Sequence, residues 1–458
     1  MDLAGVAVCV AGAGVTGRSV AAALSDMGAR VTVTDADSER LARLDDLDVR
    51  LVPGLDAPPE DTRLVVTSPG WRPTAPLLTS AAASGIEVIG DVELAWRIAR
   101  ERPNPPTWLA VTGTNGKTTT VGMVESMLRA AGIDAVACGN VGFAVLDAVL
   151  AGHSTLAVEL SSFQLHWSST VAPAASVVLN VAEDHLDWHG GFTEYAEAKG
   201  TIHRGSATVV ANLNDQWSKT LADAHASDDA RRVGFTLDTP RPGQLGVVED
   251  LLVDRAFVAD PVHTADELGT LADVRPSGPH NVANALAAAA LVRSIGVSSE
   301  AVVEGLRTFR PGAHRSVEIA ELDGVRYVDD SKATNPHAAA GSLLAHRSVV
   351  WIAGGLLKGA SVDELVAAVA DRLRGVVLLG ADADSFAEAL ARHAPDVLVR
   401  RVGSGDDEPM TAAVKAAREM ARPGDAVLLA PAAASLDMFR DYAERGEAFA
   451  AAVGELSR

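Results

Sequence analysis

The segment Val111-Thr-Gly-Thr-Asn-Gly116-Lys117-Thr118 combines a glycine-rich turn, a lysine and a hydroxyl between a predicted strand and a predicted helix. Such a turn aims several backbone N–H groups at one point, and a phosphate suits that point. The ammonium of Lys117 would then reach terminal phosphates, and the hydroxyl of Thr118 a magnesium ion. An ATP site is therefore expected at Gly113, Thr114, Asn115, Gly116, Lys117, Thr118 and Thr119. Val111 stands where the usual motif has its first glycine.

A second glycine turn, Gly12-Ala-Gly14-Val-Thr-Gly17, is followed by Asp35 at the end of the next strand. Glycines admit a pyrophosphate to the helix N-terminus, and the acid can meet a ribose or a base. A nicotinamide dinucleotide fits this pattern as readily as a nucleotide sugar. Glu159, in Val158-Glu159-Leu-Ser161-Ser162-Phe-Gln164, ends an apolar strand, where a carboxylate can hold a magnesium ion shared by ATP and substrate.

In Asn180-Val-Ala-Glu183-Asp184-His185-Leu-Asp187, with His189 close behind, the spacing lacks the helical order of a zinc site, and His185 is the preferred functional histidine. Lys199, in Tyr195-Ala-Glu-Ala-Lys199, reads by itself as a solvated lysine on a helix. Asn281 and Asn284 either cap a helix or contact a base. Three further segments fall at the carboxyl ends of predicted strands, the edge where open parallel sheets bind ligands. They are Asp329-Asp330-Ser331-Lys332-Ala-Thr334-Asn335-Pro336, Gly354-Gly355-Leu-Leu-Lys358-Gly359, and Pro431 to Tyr442 containing Ser435. They offer two anion sites, Lys358 with Thr334 and a helix N-terminus near Ser435.

Positioning these groups takes β-branched strands alternating with Ala/Leu helices, the pattern of an α/β protein with mostly parallel sheets. Strands are predicted at Val6–Val10, Val31–Thr34 and Trp108–Thr112, and helices at Gly17–Met27, Val92–Arg100 and Asn281–Ile295. A hairpin is expected at Val317–Leu322 and Val325–Val328, around Asp323-Gly324. The proline-rich Glu101–Thr107 and the Thr308-Phe-Arg-Pro-Gly312 punctuation divide the chain into 1–104, 105–310 and 311–458. A chain of 458 residues needs several cores.

A net charge of −21 argues against nucleic acid as a partner and leaves anions to local cations. No apolar run is long enough for a membrane span. Cys9 and Cys138 sit in apolar runs and read as buried thiols of a reducing, cytoplasmic compartment. Of only six lysines, Lys117, Lys199, Lys332 and Lys358 fall within the motifs above. In an arginine-biased chain, a lysine marks a place where arginine does not serve.

In this order, the motifs resemble the Mur ligase family along essentially the whole chain. Asp330-Ser-Lys-Ala-Thr-Asn335 and Ser435-Leu-Asp-Met-Phe are similar to the branch that adds D-glutamate. The resemblance implies three α/β domains: Rossmann-like, P-loop ATPase-like and Rossmann-like. It implies that ATP phosphorylates the carboxylate of UDP-N-acetylmuramoyl-L-alanine and that D-glutamate then attacks. By resemblance, Val15, Thr16, Gly17 and Asp35 meet the uridine nucleotide, and Asn140 and Gln164 face the muramoyl end. Asn284, Arg315 and Asp330 join the ATP site. Thr118 and Glu159 hold one Mg²⁺, and His185 with a carbamylated Lys199 holds a second. Lys117, Glu159, His185 and Lys199 form the catalytic set. Lys332, Thr334, Lys358, Ser435 and Tyr442 receive D-glutamate. Two departures fall here: Leu356 replaces an acid, and Tyr442 stands where phenylalanine is common. The alternatives are a sibling ligase for another amino acid, a nicotinamide-dependent oxidoreductase and a non-catalytic nucleotide-binding scaffold.

Overall fold

The computed structural model describes residues 2–403 and 408–456. By packing, the chain divides into two compact units, 1–273 with 283–309, and 274–282 with 310–458. The first unit carries two sheets and the second carries one, and all three are predominantly parallel. The expected α/β class, with a mostly parallel sheet in each of three domains, is what the fold shows.

The first sheet has five strands: β1 (Ala7–Ala11), β2 (Arg30–Thr34), β3 (Arg50–Leu51), β4 (Leu64–Thr67) and β5 (Glu87–Gly90). Their order is β3-β2-β1-β4-β5, all parallel. Every residue of β1 is buried, including Cys9, as a central strand covered on both faces requires.

The second sheet has nine strands: β6 (Thr107–Thr112), β7 (Ala135–Gly139), β8 (Thr155–Glu159), β9 (Ala175–Val178), β10 (Thr208–Asn212), β11 (Arg231–Phe235), β12 (Gln244–Val248), β13 (Leu251–Asp254) and β14 (Asp266–Thr270). Its order is β14-β13-β12-β11-β10-β9-β6-β8-β7. Seven strands run parallel, and β13 and β14 add an antiparallel meander at one edge. Arg293 ties that meander to the helix Pro279–Ser294 through Asp254 (2.9 Å) and Asp266 (2.5 Å). Cys138 is buried in β7.

The third sheet comprises β15 (Val317–Leu322), β16 (Val325–Asp329), β17 (Val349–Gly354), β18 (Leu373–Leu379), β19 (Leu398–Arg401) and β20 (Ala426–Leu429). Their order is β15-β16-β20-β17-β18-β19, with only the β15–β16 hairpin antiparallel. The hairpin turns at Asp323-Gly324, as its residue types predict, with both φ angles positive. Among the described residues, no helix is long and apolar enough to cross a membrane.

Candidate active site

In the first unit, β6 leads into the loop 113–116 and the helix Lys117–Ala130. Gly116 has φ 87°, and a Cβ there would lie 2.4 Å from Asn284 Oδ1, so backbone and crowding both demand glycine. Asn180 braces the loop by accepting Asn115 N–H (2.9 Å) and donating to Asn115 O (3.1 Å). Thr114 Oγ1 accepts Ala182 N–H and lies 2.9 Å from Tyr195 Oη.

The chemistry converges on this loop. Lys117 Nζ donates to Gly113 O (2.8 Å) and Thr114 O (2.9 Å), lying across its own turn. Thr118 Oγ1 donates to Glu159 Oε2 at 2.7 Å. Glu159 ends β8, is 2% exposed, and accepts Asn140 Nδ2 on Oε1 at 3.0 Å. The Thr118 hydroxyl and the Glu159 carboxylate are hard oxygen donors, and the hydrogen bonds to that carboxylate come from the neutral Thr118 and Asn140, a chemistry that fits magnesium.

Lys199, expected from its spacing to be solvated, is instead 2% exposed, with Nζ donating to Gly113 O at 2.9 Å. The helix Phe192–Gly200 turns this lysine inward beneath the loop, with Nζ 4.6 Å from the Tyr195 ring centroid. Burial, reinforced by the charge of Lys117, holds its pKa well below the ordinary lysine value, while Asp184 and Glu159 act the other way. His185, at φ 53°, has its Nε2 3.5 Å from Asp184 Oδ2 and its ring 4.7 Å from Phe163. Among the described residues, no group of three or more His, Cys, Asp or Glu is arranged for a metal.

The other glycine turn lies between β1 and the helix Val15–Asp26. A Cβ on Gly17 would sit 1.8 Å from Gly12 O, so only glycine lets this helix close on the strand. Asp35 accepts Ala13 N–H on Oδ2 (2.8 Å) and Asp37 N–H on Oδ1 (3.0 Å), bracing the turn. Val15 is 79% exposed at the helix start, beside half-buried Thr16. Gln164 is buried in a capping box with Ser161, and its Nε2 lies 3.4 Å from Asp91 Oδ2. The fold thus brings Thr118, Asn140 and Glu159 together at one carboxylate.

The second unit gathers its motifs at the carboxyl ends of β16, β17 and β20. Buried Asp330 takes hydrogen bonds from Ser342 Oγ and Ser316 N, and burial pushes its pKa up to about 6 while those bonds and the Arg315 charge oppose the rise. Lys332 Nζ stands 3.7 Å from the Tyr442 ring centroid, a cation–π contact. Thr334 N donates to Lys332 O, Ser435 is buried, and Lys358 is exposed with φ 54°. The helix expected near Ser435 begins only at Tyr442; Ser435 O instead accepts Met438 N and Phe439 N in a turn.

Arg445, to which the sequence assigns no role, is fully buried. It donates to Ser331 Oγ (3.0 Å), Ser331 O (2.9 Å) and Ala433 O (3.1 Å), joining two of the three loops. Burial lowers its pKa to about 10, against the pull of Asp437 and Asp329. Its only sequence signal is an arginine on the apolar face of the helix Tyr442–Leu456.

Two glycine turns at strand-to-helix junctions, one of phosphate-loop form with a buried carboxylate behind it, define an α/β protein built to hold phosphate-bearing ligands. Comparison with known proteins narrows the class. Residues 6–90 match the model of the Mur ligase MurD-like N-terminal domain, 111–292 the Mur ligase middle domain, and 314–433 the Mur ligase glutamate ligase domain. The chain is 58% identical to UDP-N-acetylmuramoylalanine–D-glutamate ligase of Thermobifida fusca, covering 100% of both chains. It is 54% identical to the enzyme of that name from Streptomyces coelicolor, covering 99% of each. The chain belongs to the Mur ligase family. The same fold is seen in UDP-N-acetylmuramate-alanine ligase of Thermotoga maritima (TM-score 0.58, 20% identity, 99% of this chain and 100% of that one). It is seen also in a pseudomurein peptide ligase of Methanothermus fervidus (TM-score 0.60, 17% identity, 98% and 99%).

Proposed function

We propose that this chain joins D-glutamate to UDP-N-acetylmuramoyl-L-alanine at the expense of ATP, with Mg²⁺, in the cytoplasm, as a step of peptidoglycan precursor synthesis. The observation that carries the reading is the group of Lys117, Thr118, Glu159 and Lys199 around one glycine loop, in a chain similar along its whole length to ligases of that name. The domains are assigned as 1–104 for the UDP substrate, 105–310 for ATP and 311–458 for the amino acid.

In this reading, Gly113 to Thr119 cradle the ATP phosphates, and Asn284, Arg315 and Asp330 are assigned to ATP by family resemblance. Val15, Thr16, Gly17 and Asp35 meet the uridine nucleotide, with Asn140 and Gln164 toward the muramoyl end. Thr118 and Glu159 would hold a magnesium ion, which would supply positive charge to the phosphates. The Lys117 ammonium leaves its own carbonyls for the terminal phosphate, adding a point charge as negative charge moves to the leaving oxygen. A carboxylate oxygen of the substrate attacks the γ-phosphorus and ADP departs. The neutral amine of D-glutamate then attacks the acyl carbon, phosphate departs and the amine proton is lost, leaving an amide. Lys332, Thr334, Lys358, Ser435 and Tyr442 hold the incoming amino acid so that the amine meets the acyl carbon, a gain from orientation.

Lys199 is assigned as a carbamate that, with His185, would hold a second magnesium ion. A buried amine kept neutral can add CO₂ and release a proton, which turns a nitrogen into the anionic oxygens that magnesium prefers. The function is tested by phosphate release from protein, ATP, Mg²⁺ and UDP-N-acetylmuramoyl-L-alanine with a panel of amino acids. Release that depends on D-glutamate supports the reading. Comparable kcat/KM for D-alanine or L-lysine refutes it.

A further inference from the structure

Asp382 stands at the N-cap of the helix Ala383–His393, yet its side chain makes no capping bond to that helix. Aspartate is favoured there because its carboxylate takes N–H groups of the first turn. Here Oδ2 instead accepts Leu357 N–H at 2.7 Å, from the loop that follows β17. That loop is gripped at neighbouring atoms as well. Leu356 and Ala434 exchange both backbone hydrogen bonds at 2.9 Å, and Asp382 N donates to Gly355 O at 3.1 Å. The turn bearing Asp382 is held in its own place, since Asp437 Oδ2 accepts Ala381 N–H at 2.8 Å. At Gly380 a Cβ would lie 2.6 Å from both Gly355 N and Asp437 Oδ2, so the three segments meet without spare room.

The residue after Leu357 is Lys358, whose φ of 54° is a left-handed conformation that a residue with a side chain keeps only when its surroundings impose it. A carboxylate on Leu357 N–H fixes the Leu356–Leu357 peptide, one residue ahead of Lys358. We infer that Asp382 is a positioning residue that sets where the Lys358 ammonium stands for the side-chain carboxylate of the incoming amino acid. Its cap is given up to the loop, and the loop does not depend on an acid at position 356. The inference rests on the assignment of Lys358 to D-glutamate.

The test compares Asp382→Ala and Asp382→Asn in the full chain, by amide hydrogen exchange over 356–359 and by steady-state kinetics. Loss of a charged acceptor should speed exchange of the Leu357 amide and raise the KM for D-glutamate by roughly tenfold or more. The KM values for ATP and the UDP substrate, and kcat at saturating D-glutamate, stay within about twofold. Asp382→Asn keeps an oxygen for Leu357 N–H and should restore most of both effects, which a general loss of folding would not do. Unchanged exchange at Leu357 in Asp382→Ala, or equal rises in all three KM values, overturns the inference. Should the parent protein not use D-glutamate while exchange still responds to Asp382→Ala, the assignment of the amino acid falls and the hold of Asp382 on the loop stands.

Discussion

Replacing Asp91 with asparagine should stabilise the protein at pH 8 and leave it nearly unchanged at pH 4. Asp91 is 4% exposed. Its Oδ2 takes a long hydrogen bond of 3.4 Å from Gln164, and its Oδ1 has no partner among the described residues. Burial raises its pKa from 3.8 to about 6. The folded chain therefore holds this proton more tightly than the unfolded chain. The resulting stability is fully present below about pH 3.8 and is lost as pH rises through about 6. Asparagine has no proton to lose and still offers Gln164 an acceptor. With each pH unit between the two values worth about 1.36 kcal/mol, the variant gains at most roughly 3 kcal/mol at pH 8 and well under 1 at pH 4. Thermal unfolding of parent and variant at the two pH values measures this. An equal shift at both, or a loss at pH 8, would refute the argument that burial outweighs the hydrogen bonds to this carboxylate.

Lys117→Ala should nearly abolish turnover while calorimetry still detects the UDP substrate, because the lysine is assigned to the ATP phosphates and the residues assigned to the uridine nucleotide lie on another sheet. Lys199→Arg should be as damaging as Lys199→Ala: arginine stays protonated and cannot add CO₂, and about 2.7 kcal/mol of lost transition-state stabilisation is a hundredfold in rate. An active Arg variant counts against the carbamate. Buried His203, with its pKa lowered to about 3, charges in the unfolded chain first. The stability it confers is present above about pH 6.5 and lost as pH falls toward 3, so His203→Gln should flatten the acid limb of a plot of Tm against pH.

Much of this was legible in residue types. Glycine turns, the strand-ending Glu159 and the Asp323-Gly324 hairpin are local signals, since backbone demands at a turn select a few residues. The alternation of strand and helix patterns likewise gave three mostly parallel sheets. Burial was less legible. Lys199 reads as solvated because helical spacing says nothing of what lies over a helix, and the loop covering it is 86 residues earlier. The tie of Arg445 to Ser331 spans 114 residues, and Asp382 looks like an ordinary cap, so neither role follows from spacing. The β13–β14 meander escaped because short strands such as Leu251–Asp254 carry too little pattern. The helix start expected at Ser435 was displaced to Tyr442, as the intervening residues form a turn whose hydrogen bonds compete with a helix.

The central claim is that the substrate carboxylate is itself phosphorylated. It is tested most directly by supplying UDP-N-acetylmuramoyl-L-alanine with both carboxylate oxygens as ¹⁸O, together with ATP, Mg²⁺ and D-glutamate, and weighing the products. The account predicts one ¹⁸O in each released inorganic phosphate and one retained in the new amide. Amide formed alongside unlabelled phosphate, or label found in AMP, would contradict it.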